Sequence, residues 1–275
     1  MSPKMLKVIS ENNIKDIHVY LFEEYWNKNK SAEQIGKQLN IDRRLVIDWM
    51  KKLNIKRRGN TEKVQTINAE NLIPNFKQWQ MILGLWLGDG NIRLVKGGIN
   101  AQQRLTHGEK QYEYLKYKQK ILEENKLLHF KEYKRKGGGF GGDNCIRYSL
   151  ESQCTPLLNG IHKDCYMSGK ANFNKNYLYQ IDDYGLFIWY LDDGSLQQNN
   201  HIILCTDNFT YEDNLQIQEY FKLKYNIGTI IFSTRKDQFR LRLNQVNTLK
   251  FFHIINKYKE EVPCMKYKFL SKERK

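Results

Sequence analysis

Ile82-Leu83-Gly84-Leu85-Trp86-Leu87-Gly88-Asp89-Gly90 and Leu186-Phe187-Ile188-Trp189-Tyr190-Leu191-Asp192-Asp193-Gly194 are one pattern written twice. Each is an apolar run closed by Asp-Gly, then a small polar residue (Asn91, Ser195) and an apolar one (Ile92, Leu196). Such a run predicts a mostly buried helix with glycine as its stop. The carboxylate then stands at a helix C-terminus, where the partial negative charge of the backbone disfavours an acid. If the two helices lie side by side, Asp89 and Asp193 meet, and like charge adds to the cost. The pair calls for a compensating cation, so a divalent-metal site is the physical reading.

Working outward, each copy opens the same order of elements. Segments 91–95 and 99–107 alternate around Lys96-Gly97-Gly98, a hairpin signature. In the second strand Ile99, Ala101, Gln103 and Leu105 point one way, and Asn100, Gln102, Arg104 and Thr106 the other. That second face suits base edges and phosphates. An amphipathic helix follows over 109–126, with Tyr114, Leu115, Ile121 and Leu122 as core. A strand pair over 129–136 and 144–151 carries Lys134 and Arg147 around a glycine-rich tip, and a helix runs from Pro156 to Ile161. The second copy predicts a helix over 184–193, strands near 195–198 and 201–207, and a helix over 211–225. Strands 228–235 and 238–244 and a helix 246–260 complete it. There Phe239, Leu241 and Leu243 alternate with Arg240, Arg242 and Asn244, and Arg235 ends the strand before. Asp193 follows Asp89 by 104 positions and Met265 follows Met167 by 98. The expected fold is therefore α+β: a pseudo-twofold, duplicated αββαββα domain over 76–275, with repeats at about 76–180 and 181–270.

Residues 1–58 read as a small helical module. Ile14, Ile17, Leu21 and Phe22 form an apolar stripe, Ser31 and Gln34 a capping box, and Asp42 a cap for a third helix bearing Leu45, Val46, Trp49 and Met50. Two short helices joined by a tight turn, the second ending in a basic run, resemble a helix-turn-helix. Arg43, Arg44, Lys51, Lys52, Lys56, Arg57 and Arg58 are its candidate DNA contacts. Residues 59–75 lack a period and read as a linker.

The formal net charge of +15 over 275 residues points to a polyanionic partner. No apolar run is long enough for a membrane span, and the N-terminus lacks the apolar core of a secretory signal. Five cysteines without a C-x-x-C pair read as reduced thiols of an intracellular protein, in a bacterial or phage-infected cytoplasm or an organelle. Cys145, Cys154, His162 and Cys165 fit no zinc spacing.

With these features in place, the two stretches resemble the LAGLIDADG motif, the second above all in Trp189-Tyr190-Leu191-Asp192-Asp193-Gly194-Ser195. The resemblance spans about residues 76–270 and implies a single-chain homing endonuclease. It implies two motif helices packed at a pseudo-twofold axis and saddle-shaped sheets in the DNA major groove. It further implies a monomer that makes a double-strand break in a long asymmetric site, with Mg²⁺ (or Mn²⁺) as cofactor. Carried onto this sequence, Asp89 and Asp193 hold the metal, with the carbonyls of Gly88 and Asp192 assisting. Lys268, in Pro263-Cys264-Met265-Lys266-Tyr267-Lys268, is the basic residue near the site, and Lys170 its weaker counterpart. His107 sits where a water-positioning residue is expected, with Asp207 as its analogue. Ile188 and Asp192 stand where the first motif has Gly84 and Gly88, so a looser helix contact is expected, with Asp192 an extra ligand or a solvent-facing acid. The alternatives are a catalytically silent DNA-binding regulator, or an intron RNA maturase, on the same fold. The chain lacks the Cys or Ser start and the His-Asn end of an intein, so an intein host is not expected.

Overall fold

Both apolar runs fold as helices, and the reason they meet lies in three glycines. The computed structural model describes residues 3–28, 30–55, 57, 73–95, 98–137, 145–166, 173–198, 200–235 and 237–269. The chain divides into two units, residues 1–70 and 71–275.

In the first unit, α1 (Pro3–Glu11), α2 (Ile17–Phe22), α3 (Ala32–Gln38) and α4 (Arg43–Lys52) pack around Leu21, Ile35, Val46, Trp49 and Met50. The expected capping box is present: Gln34 N–H donates to Ser31 Oγ at 3.1 Å, and Ser31 N–H to Gln34 Oε1 at 2.8 Å. Asp42 caps α4. The turn between α3 and α4 is tight, since a Cβ on Gly36 would stand 2.6 Å from the Ile41 carbonyl oxygen. The stripe read from Ile14 onward was incomplete. Helix α1 adds Met5 and Val8 to the core, and Phe22 is 45% exposed.

In the second unit, α5 (Phe76–Leu87) leads into β1 (Asn91–Leu94), β2 (Ala101–Gly108), α6 (Tyr112–Glu123), β3 (Phe130–Lys136) and β4 (Ile146–Ser152). Short helices α7 (Asn159–Cys165) and α8 (Lys175–Leu178) precede α9 (Asp183–Asp193). Then come β5 (Gly194–Leu196), β6 (Ile202–Leu204), α10 (Tyr211–Tyr225), β7 (Ile230–Arg235), β8 (Gln238–Leu243) and α11 (Gln245–Ile255). The strands form two antiparallel sheets of matching order, β1-β2-β4-β3 and β5-β6-β8-β7. One face of each sheet packs on helices: Leu105 and Leu150 in the first, Leu204, Leu241 and Leu243 in the second. The other face carries Gln102, Arg104 and Thr106, or Arg240 and Arg242.

Helices α5 and α9 cross at the centre of the unit. A Cβ on Gly84 would lie 2.6 Å from the Gly185 carbonyl oxygen and 2.8 Å from Ile188 Cβ. One on Gly88 would lie 2.6 Å from Asp192 Cβ, and one on Gly185 2.7 Å from Gln80 Oε1. Gly84 and Gly88 thus face the very positions that match them in the second repeat. Residues on a pseudo-twofold axis oppose their own counterparts, so both cannot be large. The looser contact expected from Ile188 and Asp192 is corrected: each fills the space its opposing glycine leaves. The glycine stop also has another cause. Gly194 is extended (φ −81°, ψ 146°) and neither it nor Gly90 is left-handed. A side chain at Gly90 would strike the Leu85 carbonyl, and one at Gly194 the Tyr190 ring.

Candidate active site

The crossing brings three acids to one end of the helix pair, and their surroundings sort them. Asp192 is saturated. Its side chain is fully buried, and Oδ1 takes Lys118 Nζ at 2.6 Å and the Tyr114 hydroxyl at 2.9 Å. Oδ2 accepts the backbone N–H of Asp89 at 3.2 Å. Asp89 and Asp193 are open. Among the described residues no hydrogen bond or ion pair reaches either carboxylate. Burial, then the charge of Asp192, raises the carboxyl of Asp89, although that residue keeps solvent access at the rim. Burial, then the charge of Asp89, pushes Asp193 up to about 8. Two partnerless, mutually repelling carboxylates are the donor set a hard divalent cation requires, so the residues fit the metal.

Lys118 was not among the sequence candidates, yet it is fully buried and central. Besides Asp192 it donates to His107 Nε2 at 2.8 Å and lies 4.2 Å from the Tyr114 ring centre. The signal was available: in α6 it sits between Tyr114 and Ile121 on the apolar stripe, where a lysine needs a buried partner. His107 is buried as well, and its Nδ1 faces Gln111 Oε1 at 3.1 Å. These partners fix the neutral tautomer with the proton on Nδ1. Burial, then the Lys118 charge, lowers the imidazole to about 3. Ligand atoms of Asp89, His107 and Asp192 do lie within 4.8 Å of one another. In that trio only Asp89 has unengaged oxygens.

Lys268 reaches the site from the C-terminal segment. Its Nζ donates to the carbonyls of Leu191 (2.5 Å), Gly194 (2.9 Å) and Asp192 (3.2 Å). It therefore caps the end of α9, where a cation offsets both the helix dipole and the acids. The Asp192 carbonyl, expected to assist a metal, is taken by this lysine. The Gly88 carbonyl stays beside Asp89. Burial lowers Lys268 despite the three nearby acids.

Strand register revises the second-half assignments. Ile92 pairs with Gln103 and Leu196 with Ile202, so the counterpart of His107 is Thr206 rather than Asp207. Asp207 instead takes Arg240 in a two-pronged pair, Nε to Oδ2 at 2.8 Å and Nη2 to Oδ2 at 2.6 Å. A cleft of about 720 Å³ opens beside Asp89, lined by Gly88, Asn91, Tyr166, Asp207 and Gln238 among others.

The outer sheet faces hold the DNA contacts expected on the sheets, with two corrections. Asn100 precedes β2, is buried, and accepts from Asn159 Nδ2 at 2.8 Å, so it does not share the face of Gln102 and Arg104. Lys134 pairs with Tyr148, which pairs with buried His107, so it points to the helix side. Lys131, Tyr133 and Arg135 take its place on the outer face beside Arg147. Arg43, Arg44, Lys51, Lys52, Arg57 and Arg235 are exposed. Lys56, Arg58, Lys170, most of the linker and the hairpin tips lie outside the described residues. Among the described residues the four zinc candidates form no ligand cluster.

The model of the LAGLIDADG DNA endonuclease family matches residues 79–251. The chain belongs to the LAGLIDADG DNA endonuclease family. The family fold is also that of the homing endonuclease I-WcaI, solved bound to its DNA recognition sequence. It matches with a TM-score of 0.65 at 19% identity, over 80% of this chain and 97% of that one. DNA endonuclease I-ChuI of Chlamydomonas applanata is 26% identical over 70% of this chain and 94% of its own. Protein MJ1098 of Methanocaldococcus jannaschii is 26% identical over 89% of this chain and 95% of its own. Protein RecA of Mycobacterium shimoidei is 27% identical over 76% of this chain, which spans 50% of that protein's length. No helix among the described residues is long and apolar enough to cross a membrane.

Proposed function

We propose that this chain is a monomeric, site-specific DNA endonuclease that breaks both strands of a long asymmetric site by divalent-metal-dependent phosphodiester hydrolysis. The observation that carries the reading is the pair of open carboxylates, Asp193 half-buried and Asp89 at the solvent rim, one at the head of each sheet. Asp89 and Asp193 would hold Mg²⁺ or Mn²⁺, with the Gly88 carbonyl at hand. The bound ion supplies Lewis acidity toward the scissile phosphate and an activated water. Asp192 fixes the backbone of Asp89, and Lys118 keeps Asp192 from the metal. His107 is a positioning residue that orients Lys118. Lys268 holds the end of α9 and brings positive charge toward the phosphate. Gln102, Arg104 and Arg147 on one sheet, and Arg235, Arg240 and Arg242 on the other, face the duplex. The first unit works as a helix-turn-helix, with Arg43, Arg44, Lys51, Lys52 and Arg57 along α4 and its exit, and Lys56 and Arg58 adjoining in sequence. The DNA-bound I-WcaI structure and the DNA endonuclease I-ChuI support this partner.

A silent DNA-binding regulator or an RNA maturase has no need to keep two unpartnered acids at the end of the helix pair. Cleavage of intron-free flanking DNA, assayed with Mg²⁺ and with EDTA, tests the reading. Linear product is expected only with the metal, and neither Asp89→Asn nor Asp193→Asn should give it while both retain DNA binding. Intact cleavage by both variants would overturn the assignment.

A further inference from the structure

The two sheets present matching positions with opposite chemistry. Each outer face begins two residues past its acid, at Asn91 or Ser195. Across the first sheet the register gives a row of Asn91, Arg104, Glu151 and Lys131. Across the second it gives Ser195, Ile203, Arg242 and Ile230. The next row is Thr106, Ser149 and Tyr133 in the first sheet, while Arg240 pairs with Phe232 in the second.

The first face is polar and pre-arranged. Glu151 gathers Arg93 at 3.1 Å and Arg104 at 3.6 Å. Thr106 and Ser149 hydroxyls bond at 2.9 Å. The second face sets Arg242, 5.9 Å from the Phe232 ring centre, between two isoleucines, and Ile230 is 47% exposed. A β-branched apolar pair flanking an exposed arginine, on a chain of net charge +15, has one complement in a major groove. The thymine C5-methyl is the apolar group on a base edge there, and arginine addresses the neighbouring guanine or phosphate.

We infer that the second sheet reads thymine through its C5-methyl group at Ile203, Ile230 and Phe232, whereas the first sheet reads by hydrogen bonds alone. The target is then chemically asymmetric: one half-site depends on thymine methyls and the other does not. This rests on the proposed reading of the chain as a DNA endonuclease.

The test uses the full chain and a randomised duplex library, selected for binding in Ca²⁺. Repeating the selection with Arg104→Ala marks the half-site under the first sheet as the positions whose preference relaxes. Deoxyuridine then replaces thymidine in the selected site, one half at a time, which removes the methyl and leaves pairing intact. Under the second sheet each lost methyl contact is expected to weaken binding about fourfold, the worth of one buried apolar carbon. The same replacement in the other half should change nothing. Ile230→Ala and Ile203→Ala should each lose the part of the deoxyuridine penalty that belongs to its own methyl contact, and Ile230 is exposed enough for its variant to fold. Equal sensitivity in both halves, none in the second, or an undiminished deoxyuridine penalty in both variants would overturn the inference. Failure to select any duplex would instead count against the endonuclease reading itself.

Discussion

At the scale of single residues, three acids in one small volume have different duties because their neighbours differ. Asp192 is neutralised by Lys118, and Asp89 and Asp193 are left to repel each other. Removing one partner of a buried ion pair strands the other charge, so Lys118→Met should destabilise the second unit by about 3–5 kcal/mol. Lys118→Met with Asp192→Asn should recover most of that loss. Urea unfolding of the three proteins checks both numbers. Asp193 gives the pH dependence. Its carboxyl is raised from 3.8 to about 8, so between those values the folded chain holds a proton that the unfolded chain has released. Stability in metal-free buffer therefore falls as pH rises through that window. Melting temperatures in EDTA should decline from pH 5 to pH 8, Mg²⁺ should restore them most at the alkaline end, and Asp193→Asn should flatten the decline.

At the scale of elements, the helix pair depends on glycine meeting bulk across the axis. Gly84→Ala places a methyl 2.6 Å from a backbone carbonyl and 2.8 Å from Ile188 Cβ, with no flexible group to yield. Overpacking of this kind costs about 1–3 kcal/mol, readable as a lower denaturation midpoint. Ile188→Ala in the same chain should relieve part of it. The longer elements of the second unit were legible from period alone, whereas the helices Pro3–Glu11 and Lys175–Leu178 were not. The predicted helix 211–225 is α10, and the strands 228–235 and 238–244 differ from β7 and β8 only at their ends. Alternation failed at Asn100 because it began the strand two residues too early, taking in a position claimed by Asn159. It failed at Lys134 because β3 is nearly all polar, and a strand polar on both faces carries no sign of which face is buried.

At the scale of the whole molecule, charge is spread over two units, and both are expected to neutralise phosphates. Each phosphate contact adds about 0.9 to the slope of log K against log salt. Arg43→Ala with Arg44→Ala should lower that slope by about two and weaken binding evenly across sequences, as fluorescence anisotropy at several salt concentrations would show. The sequence by itself determined the duplication and the family and singled out Asp89 and Asp193, because a repeated apolar run ending in Asp-Gly is a local signal with a fixed spacing. Only the tertiary structure decided which third acid would be silenced, that Lys118 would silence it, and that His107 would be locked between Lys118 and Gln111. These contacts join residues up to 78 positions apart, as Tyr114 to Asp192 does. A side chain's partner across such a distance is set by how helices and sheets pack, and no periodicity in the chain encodes it.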